Sequence, residues 1–215
     1  MVKIHNKEKE KDKANVKIKI TKSINTKDKI LKFLLSNKKN EFSIRAISKK
    51  IAVDYKTVYL IVNKLIEIQV ISSKKIGQTI LCSINLKAFN NDIFRAEDIR
   101  RKELLKNKNF SSIQSYFQDI KEPFFILLVF GSYASGKQDK KSDIDLILIT
   151  DNDKIKKEVK NKISLIPLNM HLMNFSSEEF LSMLKTIEFS VGKEAFNNNV
   201  ILFGIEDYYR LIKNA

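Results

Sequence analysis

Cysteine is nearly absent from this chain. Cys82 stands alone among 215 residues, so no internal disulfide can form, as suits a reducing compartment. Long apolar runs are missing too. The longest, Phe124 to Phe130, falls far short of the ~18 residues needed to span a bilayer. The charged first residues contain no apolar core of a signal peptide, and no internal repeat is visible. Histidine occurs twice. These absences exclude a disulfide-stapled scaffold and a helical membrane protein. The expectation is a cytoplasmic protein with no membrane partner.

The chain is long enough for one or two domains with a buried core. Its hydrophobic content of 43% and charged content of 30% suit a globular fold. The net charge of +15 is unevenly spread. Residues 1–90 hold 21 Lys+Arg against 7 Asp+Glu, and residues 91–215 hold 19 against 18. A compositional bias of the whole chain would affect both halves. Confinement to one half points to a local anionic partner, nucleic acid first, with an acidic protein surface or mere solubility as the alternatives.

Residues 1–24 form a lysine-rich arm whose first part has too little apolar content to fold alone. Within it, Val16-Lys17-Ile18-Lys19-Ile20 alternates as a short edge strand would. Helical spacing then begins. Ile30, Leu31, Phe33, Leu34 and Leu35 predict a helix near 26–36, capped by Asn25 or Thr26. Ser43 caps a second helix bearing Ile44, Ile47 and Ile51, and Asp54 a third bearing Val58, Ile61, Val62, Leu65, Ile66 and Ile68. Extended stretches at 70–73 and 79–85 flank a Lys74-Lys75-Ile76-Gly77 turn. Three helices and a basic-tipped hairpin resemble a winged helix-turn-helix domain over residues 25–87. That resemblance implies a third helix in the major groove and a hairpin against the backbone. The candidate nucleic-acid contacts are Arg45, Lys49, Tyr55, Lys56, Tyr59, Asn63, Lys74 and Lys75. Residues 88–109 read as a linker helix whose mixed charges suit an exposed face.

From residue 110 to 215 helices and strands alternate. A helix through Ile113 and Phe117 leads into an apolar strand at 125–130. There follow Gly131-Ser132, a short helix to Gly136, and a strand at 143–149. A lysine-rich helix at 151–163 precedes a half-buried strand at 168–175, on which Leu168, Met170 and Leu172 face opposite to Asn169, His171 and Met173. Ser176 and Glu179 form a capping-box start for the next helix, before a strand at 200–203 and a helix at 206–213. Gly131 lets a phosphate approach the backbone, and the Ser132 hydroxyl adds a hydrogen bond. Asp143 and Asp145 lie two apart and so share a face in a strand. Adjacent carboxylates coexist most easily around a cation, and hard oxygen donors suit Mg²⁺.

The string Gly131-Ser132-x-Ala134-x-Gly136-x5-Ser142-Asp143-x-Asp145 resembles the motif of the DNA polymerase beta superfamily of nucleotidyltransferases, most of all its minimal members. The resemblance implies a mixed sheet flanked by helices, hence an α+β chain overall. It implies Mg²⁺-dependent transfer of a nucleoside monophosphate from a nucleoside triphosphate. Gly131, Ser132 and Ser142 would hold the nucleotide, and Asp143 and Asp145 would be catalytic metal ligands. Lys193 is a candidate phosphate contact.

One feature departs from the family pattern. A third carboxylate is expected on the 168–175 strand, whose polar face carries Asn169 and His171 instead. His171 is a candidate metal ligand or general base, or a packed histidine that replaces the acid. Two functions therefore stand open. One is a nucleic-acid-binding nucleotidyltransferase with an unknown acceptor. The other is a DNA-binding transcription regulator, or an antitoxin-like protein paired with a HEPN-type toxin, whose second domain binds nucleotide or partner without turnover. A homodimer would suit paired half-sites.

Overall fold

A computed structural model describes residues 24–120, 124–139, 142–186, 188 and 190–213. Most of the basic arm, including its 16–20 alternation, lies outside these.

Helix α1 (Thr26–Leu35) begins where the Asn25 side chain accepts from the Asp28 amide at 2.8 Å. It buries Ile30, Leu31, Leu34 and Leu35. A two-residue strand β1 (Phe42–Ser43) leads into α2 (Ile44–Ile51), where Ser43 Oγ accepts from the Ala46 amide at 3.1 Å. Asp54 caps α3 (Tyr55–Glu67) by accepting from Thr57 at 2.8 Å. Val58, Val62 and Leu65 form its buried stripe. All three caps agree with the sequence expectation.

The hairpin differs from that expectation. Strands β2 (Ile71–Ile76) and β3 (Thr79–Ile84) pair with Ile76 opposite Thr79, so the turn is Gly77-Gln78. Gly77 takes φ 57°, which only glycine adopts cheaply. Lys74 and Lys75 lie within β2, paired with Leu81 and Ile80, and not in the turn. Strand β1 joins the far side of β3, an addition too short to read from alternation.

Helix α4 (Asn91–Leu104) spans the expected linker. Its charges were expected to face solvent, yet Glu97 and Arg100 are buried. The reason is their position: Ile93, Ala96, Glu97 and Arg100 share one helical stripe, which packs against the neighbouring elements.

Helix α5 (Lys108–Phe117) precedes the second sheet. That sheet comprises β4 (Ile126–Phe130), β5 (Ile144–Ile149), β6 (Met170–Phe175) and β7 (Asn199–Phe203), in the order β6-β5-β4-β7. Strands β5 and β6 are parallel, and β4 is antiparallel to β5 and β7. The short helix α6 (Gly131–Ser135) joins β4 to the loop before β5. Helices α7 (Asp153–Ser164), α8 (Ser177–Lys185), α9 (Val191–Asn197) and α10 (Ile205–Ile212) complete the fold. The α8 capping box is present. Helix α9 had no sequence expectation.

Strand alternation assigns the two faces. Leu127, Val129, Ile144, Leu146 and Leu148 bury against α5 and α7. Ile126, Leu128, Phe130, Ile147 and Ile149 join a second core with Ile93, Ala96, Phe180 and Tyr208. That core continues without a break into the residues of α1–α3. Asp145 and His171 share the face of Ile147 and Met173, at one end of the strands.

Candidate functional site

The site begins at the end of β4. Phe130 is the last strand residue and Gly131 turns the chain with φ 68°. The positive φ favours glycine at 131, and a Cβ there would sit 2.5 Å from Asp145 Oδ2, so a larger residue would have to push that carboxylate aside. Ser135 Oγ donates to the Gly131 and Ser132 carbonyls at 3.0 and 3.1 Å, and Gly136 closes α6 at φ 69°. Ser142 is tied into its own loop: its Oγ accepts from the Asp139 amide at 2.9 Å and donates to Asp139 Oδ1 at 3.0 Å.

Register brings the polar residues together. Asp145 stands opposite Phe130 on one side and His171 on the other, while Phe130 stands opposite Asn199 on β7. One row across the sheet therefore reads Asn199, Phe130, Asp145, His171. Asp143 lies one residue before β5 and not inside the strand as expected. His171 Nδ1 is 3.7 Å from Asp145 Oδ1, and its Nε2 is 3.9 Å from Asp143 Oδ2. The His171 side chain is 68% exposed, and those of Asp143 and Asp145 41% and 29%. The cluster is open enough for a ligand to reach.

The donor chemistry suits a divalent cation: two carboxylates, a nitrogen beside them and a glycine leaving space at Asp145. Among the described residues no group of three or more His, Cys, Asp or Glu side chains is already gathered as a metal site. Among the described residues no third acid joins the cluster. Asn169 contributes its carbonyl to the Ile144 amide at 2.9 Å. Glu179 Oε2 accepts from the Ser176 amide at 2.7 Å, which holds its carboxyl below the usual range. Asp151, at the other end of β5, is likewise held low by the Ser177 hydroxyl and amide. Lys193 is not brought to the aspartates. Its amine donates to the Thr186 carbonyl, and it lines a recess with Leu184, Lys185, Phe196 and Asn197.

In the N-terminal half, Arg45, Tyr55, Tyr59 and Lys75 line one recess of about 490 Å³ between α2, α3 and the hairpin. Lys49, Lys56 and Lys74 are exposed and Asn63 is half-buried, and none of the four lines that recess.

Sequence reasoning missed a buried polar seam between the halves. Arg100 Nη1 donates to Glu97 Oε2 at 2.6 Å, and Tyr209 Oη donates to Glu97 Oε1 at 2.8 Å. Lys38 Nζ donates to Asn199 Oδ1 at 2.8 Å, and Asn199 Nδ2 meets Tyr208 Oη at 3.0 Å. The available signal was a Glu97–Arg100 pair on an otherwise apolar helical stripe.

No curated protein and no solved structure matches the chain. Residues 111–207, which contain Gly131, Asp143, Asp145 and His171, match the family model described as Polymerase beta, Nucleotidyltransferase, and this part of the chain is similar to that nucleotidyltransferase domain.

Proposed function

We propose that the chain is a nucleic-acid-binding nucleotidyltransferase that moves a nucleoside monophosphate from a nucleoside triphosphate to an acceptor hydroxyl. The observation that carries this reading is the row placing Asp145 between the Gly131 turn and His171, within the stretch that matches the family model. Gly131 and Ser132 hold the triphosphate through backbone amides and the hydroxyl. Asp143 and Asp145 hold Mg²⁺, which when bound offsets charge on the transferring phosphate. The acceptor oxygen bonds to the α-phosphorus, the bond to the bridging oxygen breaks, and pyrophosphate leaves with that electron pair. His171 Nε2 takes the acceptor's proton. The N-terminal helices and hairpin act as a winged helix-turn-helix that locates the protein on DNA through its basic residues.

A second reading is favoured by His171 standing where a third carboxylate is expected. The second half then binds nucleotide or a partner protein without turnover, and the chain acts as a regulator or antitoxin. Labelled triphosphates with Mg²⁺, in the presence and absence of DNA and cell extract, separate the two. A labelled product supports the transferase. Salt-sensitive DNA binding with no product supports the regulator.

A further inference from the structure

We infer that the recess between α2, α3 and the β2–β3 turn takes an unpaired nucleotide, its base against Tyr55 and Tyr59 and its phosphate between Arg45 and Lys75. The inference rests on the nucleic-acid reading of the N-terminal half and adds the state of the strand that is bound.

Tyr55 and Tyr59 are one turn apart on α3, with ring centroids 5.9 Å apart and planes tilted by 34°. They remain 47% and 39% exposed. Their rings meet in a concavity of about 490 Å³. A pair of aromatic rings open to water inside a recess offers a flat, polarisable surface to a second planar group. Most of the remaining lining is basic or polar, with Ile44 and Ile80 adding apolar surface. Arg45 stands in the first turn of α2 and Lys75 on β2, both exposed. Among the described residues neither forms an ion pair, so both cations are available to an anion. Gln78 and Thr79, at the hairpin turn, add an amide and a hydroxyl to the same lining.

Aromatic surface, two cations and two hydrogen-bonding groups match a nucleotide part by part. They match a duplex poorly. In a duplex the base faces are stacked on one another, and only edges and phosphates are offered. An unpaired base can turn its face to a ring. A free mononucleotide carries the same chemistry, so the two sources need separate arms.

The test is anisotropy of fluorescein-labelled oligonucleotides, roughly 12 nucleotides long, on the full chain at fixed salt. The probes are single-stranded DNA, single-stranded RNA and the annealed DNA duplex. The variants are Tyr55→Ala, Tyr55→Phe and Tyr59→Ala. At least one single strand is expected to bind about tenfold tighter than the duplex. Each Tyr→Ala change is expected to weaken that binding about tenfold, and Tyr55→Phe to retain it, because stacking needs the ring and not the hydroxyl. Both tyrosines are exposed, so unchanged thermal unfolding of the variants shows the loss to be local. Displacement by AMP assigns the recess to a free nucleotide, and resistance to AMP assigns it to a strand. Both outcomes keep the stacked base. Four outcomes overturn it: equal or tighter duplex binding, no effect of either alanine, a Phe variant as weak as the alanine one, or no binding of any probe. Duplex binding alone would leave the nucleic-acid reading standing, whereas no binding of any probe would remove both.

Discussion

Arg100 Nη2 donates to the backbone carbonyl of Asn199 at 2.6 Å. Arg100 belongs to the helix once expected to be an exposed linker. Asn199 begins the strand that pairs with Phe130, one residue before Gly131. The seam between the halves therefore ends in the same row of the sheet as Asp145 and His171.

Removing one member of such a seam leaves the others buried with a partner missing. Arg100→Met takes one partner from Glu97 and one from the Asn199 carbonyl. The expected loss is about 3–5 kcal/mol of unfolding free energy, read by urea denaturation of the full chain. A loss under about 1 kcal/mol, the scale of exposed pairs, would show that the seam is not closed to water.

Lys38 gives the seam a pH dependence. Burial pushes its amine down to about 7, against the opposing pull of Glu97 and with a smaller push from Arg100. The unfolded amine keeps its proton to about pH 10.4. Between those values the unfolded chain binds more protons, so stability rises with pH, while below about pH 7 both forms are protonated and the effect is level. Cys82, whose thiol burial pushes up to about 11, acts in the opposite direction only above its unfolded value of about 8.5. From pH 7 to 8.5 the wild-type chain is expected to gain about 1–2 kcal/mol. Lys38→Met should flatten that slope, and a slope that persists in this variant would assign it to another group.

Gly131→Ala tests the close approach at the site. The added methyl meets Asp145 Oδ2 at 2.5 Å and must displace that carboxylate. The positive φ adds about 1–2 kcal/mol of backbone strain. Binding of labelled triphosphate is expected to fall at least about tenfold, a scale on which displaced metal-site groups act, while circular dichroism stays that of a folded chain. Unchanged binding would separate Gly131 from the nucleotide site.

The elements most legible in the sequence were those with a local cause. Asn25, Ser43, Asp54 and Ser176 announce helix starts because their side chains accept from amides three residues on. Gly131, Asp143 and Asp145 were readable from the spacing of the Gly-Ser turn and the Asp-x-Asp string between two apolar runs, although Asp143 falls just before β5. His171 was readable as the polar residue on the neighbouring strand. What escaped depends on partners distant in sequence. Glu97 and Arg100 look like solvated charges until Asn199 and Tyr209, about a hundred residues later, are placed against them. Lys193 read as a phosphate contact, but helix α9 directs its amine to Thr186. The hairpin turn slipped because Gly77 was read as the end of a turn that it in fact begins.

The most direct measurement is transfer from α-labelled nucleoside triphosphates in Mg²⁺, comparing the wild-type chain with Asp143→Asn and Asp145→Asn. These changes keep shape and remove the charges to which metal and triphosphate binding are assigned in the proposed function. Labelled product from wild type, lost in both variants with their thermal unfolding unchanged, is the predicted result. Labelling that survives both substitutions would contradict the assignment of this site.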